Sequence, residues 1–99
     1  MTTEPSERPE RLFPLGRVVA TPGAIAALDE AKQAPQEFLD RHQRGDWGEV
    51  SEEDKKENDF SVKNGFRILS SYYTSKGVKF WIITEHDRSV TTLLTPIEY

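Results

Sequence analysis

The chain has 99 residues, of which 35% are hydrophobic and 30% charged, and its formal net charge is −4. That length predicts one domain with a modest core, which its ten aromatic residues help to fill. The lack of cysteine excludes disulfides, thiolate zinc sites and cysteine nucleophiles, and the acidic balance excludes a strongly basic nucleic-acid footprint.

The N-terminal residues 1–11, MTTEPSERPER, are polar and contain two prolines. They predict a flexible tail that precedes a single α+β domain at residues 12–99. They also lack the apolar segment of a secretory signal, and no apolar run reaches the roughly 18 residues of a membrane span. A cytoplasmic protein that does not bind membranes is therefore expected.

A short strand is predicted near residues 17–20, where LFPLGRVVA becomes β-branched. The first helix follows directly, with Thr21 as its N-cap and Pro22 at its first position. The second helix begins at Pro35 and stops at Gly45.

The third predicted helix, SEEDKKENDFSVKNG, is mostly polar. Ser51 caps it, acidic residues fill its first turn, and Asn64-Gly65 forms a left-handed stop. Because Phe60 and Val62 are its only large apolar residues, the helix is either mostly solvated or packs on something outside this chain.

From Phe66 onward the hydrophobic period changes to two, which predicts three antiparallel strands in a meander. A three-residue loop at 75–77 would pair Thr74 with Val78. Phe66 and Phe80 then share a buried, helix-covered face. The predicted fold is an N-terminal strand and three helices followed by a three-stranded antiparallel β-meander.

The opposite face of this meander mixes aromatic and cationic side chains. One interpretation is an ordinary half-solvated surface; the other is a binding surface for RNA or a partner protein, since aromatic rings stack on bases and cations contact phosphates. The candidate nucleic-acid-binding residues are Arg67, Tyr73, Lys79 and Trp81.

Two histidines could carry acid–base chemistry. His86 lies in the turn EHDRS, where it could act as general acid or base while Arg88 holds a phosphate, although a charged turn explains these residues equally well. His42 lies on the apolar side of the second helix and is predicted to be a packed residue. The stretch 41–50, RHQRGDWGEV, is predicted to be a structural corner, with its basic flank unexplained.

The acidic residues around the third helix suggest a different class of function, a non-catalytic protein-interaction module that acts on a host defence or regulatory complex. The simpler alternative is a solvated helix that keeps the protein soluble. The candidate partner-binding residues are Glu49, Glu52, Glu53, Asp54, Glu57 and Asp59. No cofactor is predicted, and no metal site, because nothing in the spacing of the histidines and aspartates demands one.

Several strings resemble a widespread group of small bacterial proteins often carried on plasmids and other mobile elements: FPLGRVVATPGAIAAL, GDWGE, WIITEHDRSVTTLL and PIEY. This resemblance spans residues 13–99 and implies no particular activity. The order of elements is also similar to the RelE/ParE toxin and barnase-like ribonuclease group, which cleaves RNA without metal. That likeness implies acid, base and phosphate-holding roles for Arg67, Ser71, Tyr73, Lys79, His86, Arg88 and Thr91, whereas the acidic charge and the added polar helix depart from those enzymes.

Overall fold

This computed structural model describes residues 11–99 of the chain, which contain three α-helices and four β-strands. The helices are α1 (Pro22–Ala31), α2 (Pro35–Gln43) and α3 (Glu52–Asn64), and the strands are β1 (Arg17–Ala20), β2 (Ile68–Tyr73), β3 (Lys79–Thr84) and β4 (Val90–Leu94). A 3-10 turn, Pro96–Glu98, follows β4. The α+β class with three helices is confirmed, whereas the predicted tail lies, except for Arg11, outside the described residues.

The helix boundaries follow from capping chemistry. Thr21 accepts a hydrogen bond from the N–H of Ala24 at 3.3 Å, and Ser51 accepts one from the N–H of Asp54 at 3.1 Å. Gly65 ends α3 with φ 76°, the left-handed conformation that glycine adopts without steric penalty. The predicted caps and the glycine stop are therefore confirmed.

The sheet has the strand order β1-β4-β3-β2. Strands β2, β3 and β4 form the predicted meander, and the N–H of Thr74 bonds to the carbonyl of Val78 at 2.9 Å, so the three-residue loop is confirmed. The predicted three-stranded sheet is nevertheless incomplete, because β1 pairs in parallel with β4 and makes a four-stranded mixed sheet. Local sequence patterns do not encode such a pairing, which joins residues more than seventy positions apart.

The main core lies between one face of the sheet and helices α1 and α2. Phe80 is fully buried, as predicted, and its ring meets that of Phe38 edge to face, with the two centroids 4.9 Å apart. Phe66 was expected on this face, but the prediction is wrong: the chain reverses at Gly65 and leaves Phe66 54% exposed. The core cluster consists of Ala24, Leu28, Phe38, Leu39, Tyr72, Phe80, Ile82 and Leu93.

The outer edge of β2 is covered by two segments that are not strands. The side chain of Asn58 bonds to both the N–H and the carbonyl of Leu69, at 3.2 and 2.8 Å. The corner after α2 supplies the carbonyl of Trp47 and the N–H of Glu49 to Ser71. Covered in this way, the edge has few free backbone groups with which to pair with another chain.

No helix among residues 11–99 has the length and apolar character needed to cross a bilayer.

Candidate nucleic-acid interface

The face of the sheet turned away from α1 and α2 carries the four residues predicted to bind nucleic acid. Side chains alternate along a strand, so Tyr73, Lys79 and Trp81 lie on the face opposite to the buried Tyr72 and Phe80. The C-terminal residue also reaches this surface, where its ring packs against a tryptophan. We call Arg67, Tyr73, Lys79, Trp81 and Tyr99 the open sheet face.

Aromatic rings and cations are paired on the open sheet face. The Lys79 ammonium lies 5.8 Å from the centre of the Tyr73 ring. The Arg67 guanidinium lies 5.7 Å from the centre of the Tyr99 ring and donates a hydrogen bond of 2.8 Å to its hydroxyl. The rings of Trp81 and Tyr99 meet edge to face at 5.6 Å. Tyr73 and Tyr99 remain 50% and 66% exposed, so both rings are accessible to a ligand.

Sequence reasoning missed Tyr99, because nothing local shows where the chain goes after β4. The 3-10 turn is tied to the start of α1: the Glu98 carboxylate accepts hydrogen bonds from the Thr21 hydroxyl and from the N–H groups of Gly23 and Thr95. These bonds, that of Thr21 foremost, lower the pKa of Glu98 from 4.5 to about 2. The charged carboxylate therefore fixes the turn that carries Tyr99 onto the sheet.

The turn between β3 and β4 holds the two predicted catalytic residues in different environments. His86 is exposed. Arg88 is half-buried, and its guanidinium donates to the carbonyls of Phe66, Glu85 and Ser61 at 2.6, 3.2 and 2.7 Å. Its backbone has φ 60°, an uncommon conformation for a residue with a side chain. Arg88 thus joins the turn to the end of α3, and holding a phosphate would require it to give up these bonds.

His42 is fully buried in a chain of hydrogen bonds that crosses the core. Its Nδ1 meets the hydroxyl of Ser70, and its Nε2 meets that of Thr84 at 2.9 Å. The Thr84 hydroxyl contacts that of Thr91 at 2.7 Å, and Thr91 bonds to the carbonyl of Leu15 at 2.7 Å. His42 is therefore packed, as predicted, with both ring nitrogens satisfied.

The donor and acceptor roles along this series of hydrogen bonds determine which ring nitrogen of His42 carries the proton. The carbonyl of Leu15 can only accept, so Thr91 donates to it and must accept from Thr84. Thr84 in turn accepts from His42, which places the ring proton on Nε2 and leaves Nδ1 to accept from Ser70. Burial, with a smaller contribution from the positive charge of Arg88, lowers the pKa of His42 from 6.5 to about 3. The imidazole is thus neutral and enclosed.

The ribonuclease likeness also implied roles for Thr91 and Ser71, and both residues are buried. Thr91 is fully buried within the His42 chain. Ser71 is 2% exposed, and its hydroxyl has no hydrogen-bond partner among the described residues. Neither hydroxyl is accessible to a substrate on the sheet.

The corner at residues 41–50 packs a tryptophan into the protein and forms a salt bridge. Trp47 is 3% exposed and donates its indole N–H to Asp59 at 3.2 Å. Arg41 forms a 2.8 Å salt bridge with Asp46, which lowers the pKa of that carboxyl, and its guanidinium lies 4.6 Å from the centre of the Tyr72 ring. These contacts account for part of the basic flank, whereas Arg44 is exposed.

The acidic residues predicted to bind a partner lie on and before α3. Asp59 is engaged with the indole of Trp47, and Glu52 pairs with Lys55 at 3.2 Å. All six are exposed: Glu49, Glu52, Glu53, Asp54, Glu57 and Asp59. Only Asn58 and Ser61 of this helix are buried, so α3 is mostly solvated.

Within residues 11–99, no three histidine, aspartate or glutamate side chains come together as metal ligands. His86 and the buried His42 lie in separate environments, and the hydroxyl nearest to an imidazole, that of Ser70, is itself fully buried. Among the described residues, the open sheet face offers aromatic rings and cations, and the turn between β3 and β4 offers the exposed imidazole of His86.

The chain matches no protein-family profile, no curated protein sequence and no solved structure.

Proposed function

We propose that this protein binds single-stranded RNA on the open sheet face and does not cut it. One observation carries the proposal: two exposed tyrosine rings on this face each lie beside a cation, Tyr73 beside Lys79 and Tyr99 beside Arg67. Single-stranded RNA is bound by this combination, in which bases stack on aromatic rings and cations contact the phosphates.

The dimensions of the face suit a short stretch of nucleotides. Arg67 and Tyr73 lie six residues apart, and an extended chain rises about 3.3 Å per residue, so the two side chains are separated by about 20 Å. Aromatic sheet platforms of comparable extent hold about two or three stacked bases. Because the whole chain is acidic, binding depends on a local patch of few cations, and we expect modest affinity with a shallow salt dependence.

RNA cleavage is left out of this function, because the described residues assemble no cleavage apparatus on this face. Arg88 donates to three carbonyls, and the buried imidazole of His42 has no access to substrate. His86 alone supplies an exposed imidazole, whereas metal-free RNA cleavage needs an acid, a base and a group that stabilises the phosphate. We therefore expect RNA to remain intact after prolonged incubation, with and without His86→Ala.

The test is fluorescence anisotropy with labelled decauridine at low salt. Tyr73→Ser and Tyr99→Ser should each weaken binding about tenfold through the loss of a stacking ring. Arg67→Gln and Lys79→Gln should each reduce the slope of log K against log salt by about one.

The matched control is Lys63→Gln, which removes an exposed cation from α3 instead of from the sheet. Its affinity should equal that of the wild type, and decadeoxyuridine should report whether the ribose hydroxyl contributes. Equal binding by wild type and Tyr73→Ser, or an equal loss in Lys63→Gln, would contradict the proposal.

A further inference from the structure

The two edges of the sheet differ in how they are covered. The edge of β2 is bonded to α3 and to the corner after α2, whereas β1 forms the other edge and pairs only with β4. Arg17 and Thr21 donate their N–H groups toward β4, each at 2.9 Å, so the backbone groups of the alternate residues, Val18 and Ala20, point away from the sheet. These groups have no hydrogen-bond partner among residues 11–99.

Apolar side chains beside this edge are exposed on both faces of the sheet. Val18 pairs with the buried Thr91 and lies on the face that the helices cover, and Val19 lies on the opposite face. The two valines remain 44% and 37% exposed. Leu12, before β1, and Ile25, in the first turn of α1, are also exposed. An open strand edge flanked by exposed apolar side chains is a template for pairing with another strand.

We propose that β1 pairs antiparallel with β1 of a second copy of this chain, which joins the two sheets across a two-fold axis at Val19. Val18 of one copy then exchanges hydrogen bonds with Ala20 of the other, so the outward-pointing groups of both strands are satisfied. Val19 faces Val19 of the second copy between these pairs, where opposite Cβ atoms approach to about 4.5–5.5 Å. Arg17, the one charged residue of the strand, lies opposite Thr21, so no like charges oppose each other.

The residues that flank β1 favour this register above its neighbours. With the axis at Val18, Gly16 would have to pair with Ala20, but Gly16 has φ 66° and is not extended. With the axis at Ala20, Pro22 would have to pair with Val18, but proline has no N–H to donate. The axis at Val19 keeps all the hydrogen-bonding residues within the strand.

The pairing is closed and small. Because the edge of β2 is covered, it cannot accept β1 of a further copy, and the assembly stops at two chains. A strand of four residues contributes less than the roughly 800 Å² that each partner supplies to a standard interface, so we expect a dissociation constant of about 10–100 µM. The inference does not rest on RNA binding, because association is measured without nucleic acid.

The test is sedimentation equilibrium of the full chain over concentrations that bracket this constant, where the wild type should show a monomer–dimer equilibrium. Val19→Lys and Val19→Glu each place like charges opposite each other across the axis, so each should weaken association at least about tenfold. Val19 is exposed, so both variants should retain the wild-type circular dichroism spectrum. An equimolar mixture of the two should associate at least as tightly as the wild type, because an ammonium then faces a carboxylate.

The matched control is Phe60→Lys, which puts the same charge on an exposed apolar position of α3 and should leave association unchanged. A second measurement requires no variant: hydrogen exchange of the Val18 and Ala20 amide protons should slow as the wild-type concentration rises. A chain that stays monomeric throughout, an equal loss in Phe60→Lys, a mixture that does not associate, or exchange that is independent of concentration would overturn the proposal.

Discussion

At the scale of single residues, the buried imidazole of His42 makes the fold sensitive to acid. The unfolded chain takes up a proton on this ring below pH 6.5, whereas the folded chain does so only near pH 3. Between these values the unfolded state binds more protons, so acid shifts the equilibrium toward unfolding and stability rises with pH.

We expect the free energy of unfolding, measured with urea, to fall by about 2 kcal/mol between pH 7 and about pH 5, since each pH unit below 6.5 contributes about 1.4 kcal/mol. The stabilising charge of Glu98 is lost only below its ordinary pKa of 4.5, so this window isolates His42. His86→Asn serves as the control and should retain the pH dependence, because it leaves the contacts of the buried His42 in place. A stability that stays constant over the window would contradict the buried neutral imidazole.

Gly48 is the second residue with a specific requirement. A Cβ atom here would lie 2.0 Å from the carbonyl oxygen of Ser71, and φ is 76°. Gly77 has a similar φ of 82° with no atom within 4 Å. Gly77→Ala should therefore cost about 1 kcal/mol, the penalty for a left-handed alanine, whereas Gly48→Ala should cost at least about 3 kcal/mol because the corner must also leave the edge of β2. Equal thermal shifts in the two variants would show that the corner does not pair with β2.

At the scale of elements, the C-terminal turn depends on one carboxylate. Glu98→Gln keeps the shape of the side chain but removes the charge that the Thr21 hydroxyl and two N–H groups stabilise. We expect a lower melting temperature at pH 7 and faster exchange of the Gly23 amide proton. The stabilisation should be fully present above pH 4.5 and lost as pH falls toward 2, so the two proteins should converge in strong acid. Equal melting temperatures of the wild type and Glu98→Gln at pH 7 would show that the charge of Glu98 does not stabilise the turn.

The helices and strands also show which features of the fold can be predicted from local sequence. Capping residues such as Thr21 and Ser51 predicted the helix starts, and Gly77 predicted the hairpin register, because these signals act within a few positions. The parallel pairing of β1 with β4, the contact between Gly48 and Ser71 and the return of Tyr99 join distant segments and leave no local period to detect. Within the open sheet face, alternation predicted Tyr73, Lys79 and Trp81, whereas the three carbonyl contacts of Arg88 depend on the packed end of α3.

At the scale of the whole molecule, the cations of the open sheet face lie next to the acidic residues of α3. Arg67 and Lys79 lie on the open sheet face, and the groove that Arg67 lines also contains Glu57 of α3. These neighbouring carboxylates repel phosphate, so they add to the expectation that RNA binds with modest affinity.

The two tryptophans provide the most direct measurement of the central claim, that the open sheet face binds RNA. Trp81 lies on that face beside Tyr99, whereas the indole N–H of Trp47 is buried and bonded to Asp59. In a ¹⁵N-labelled sample titrated with decauridine, we expect a progressive shift of the Trp81 indole resonance and no change in that of Trp47. A titration that leaves the Trp81 resonance in place, or that moves resonances of α3 instead, would contradict it.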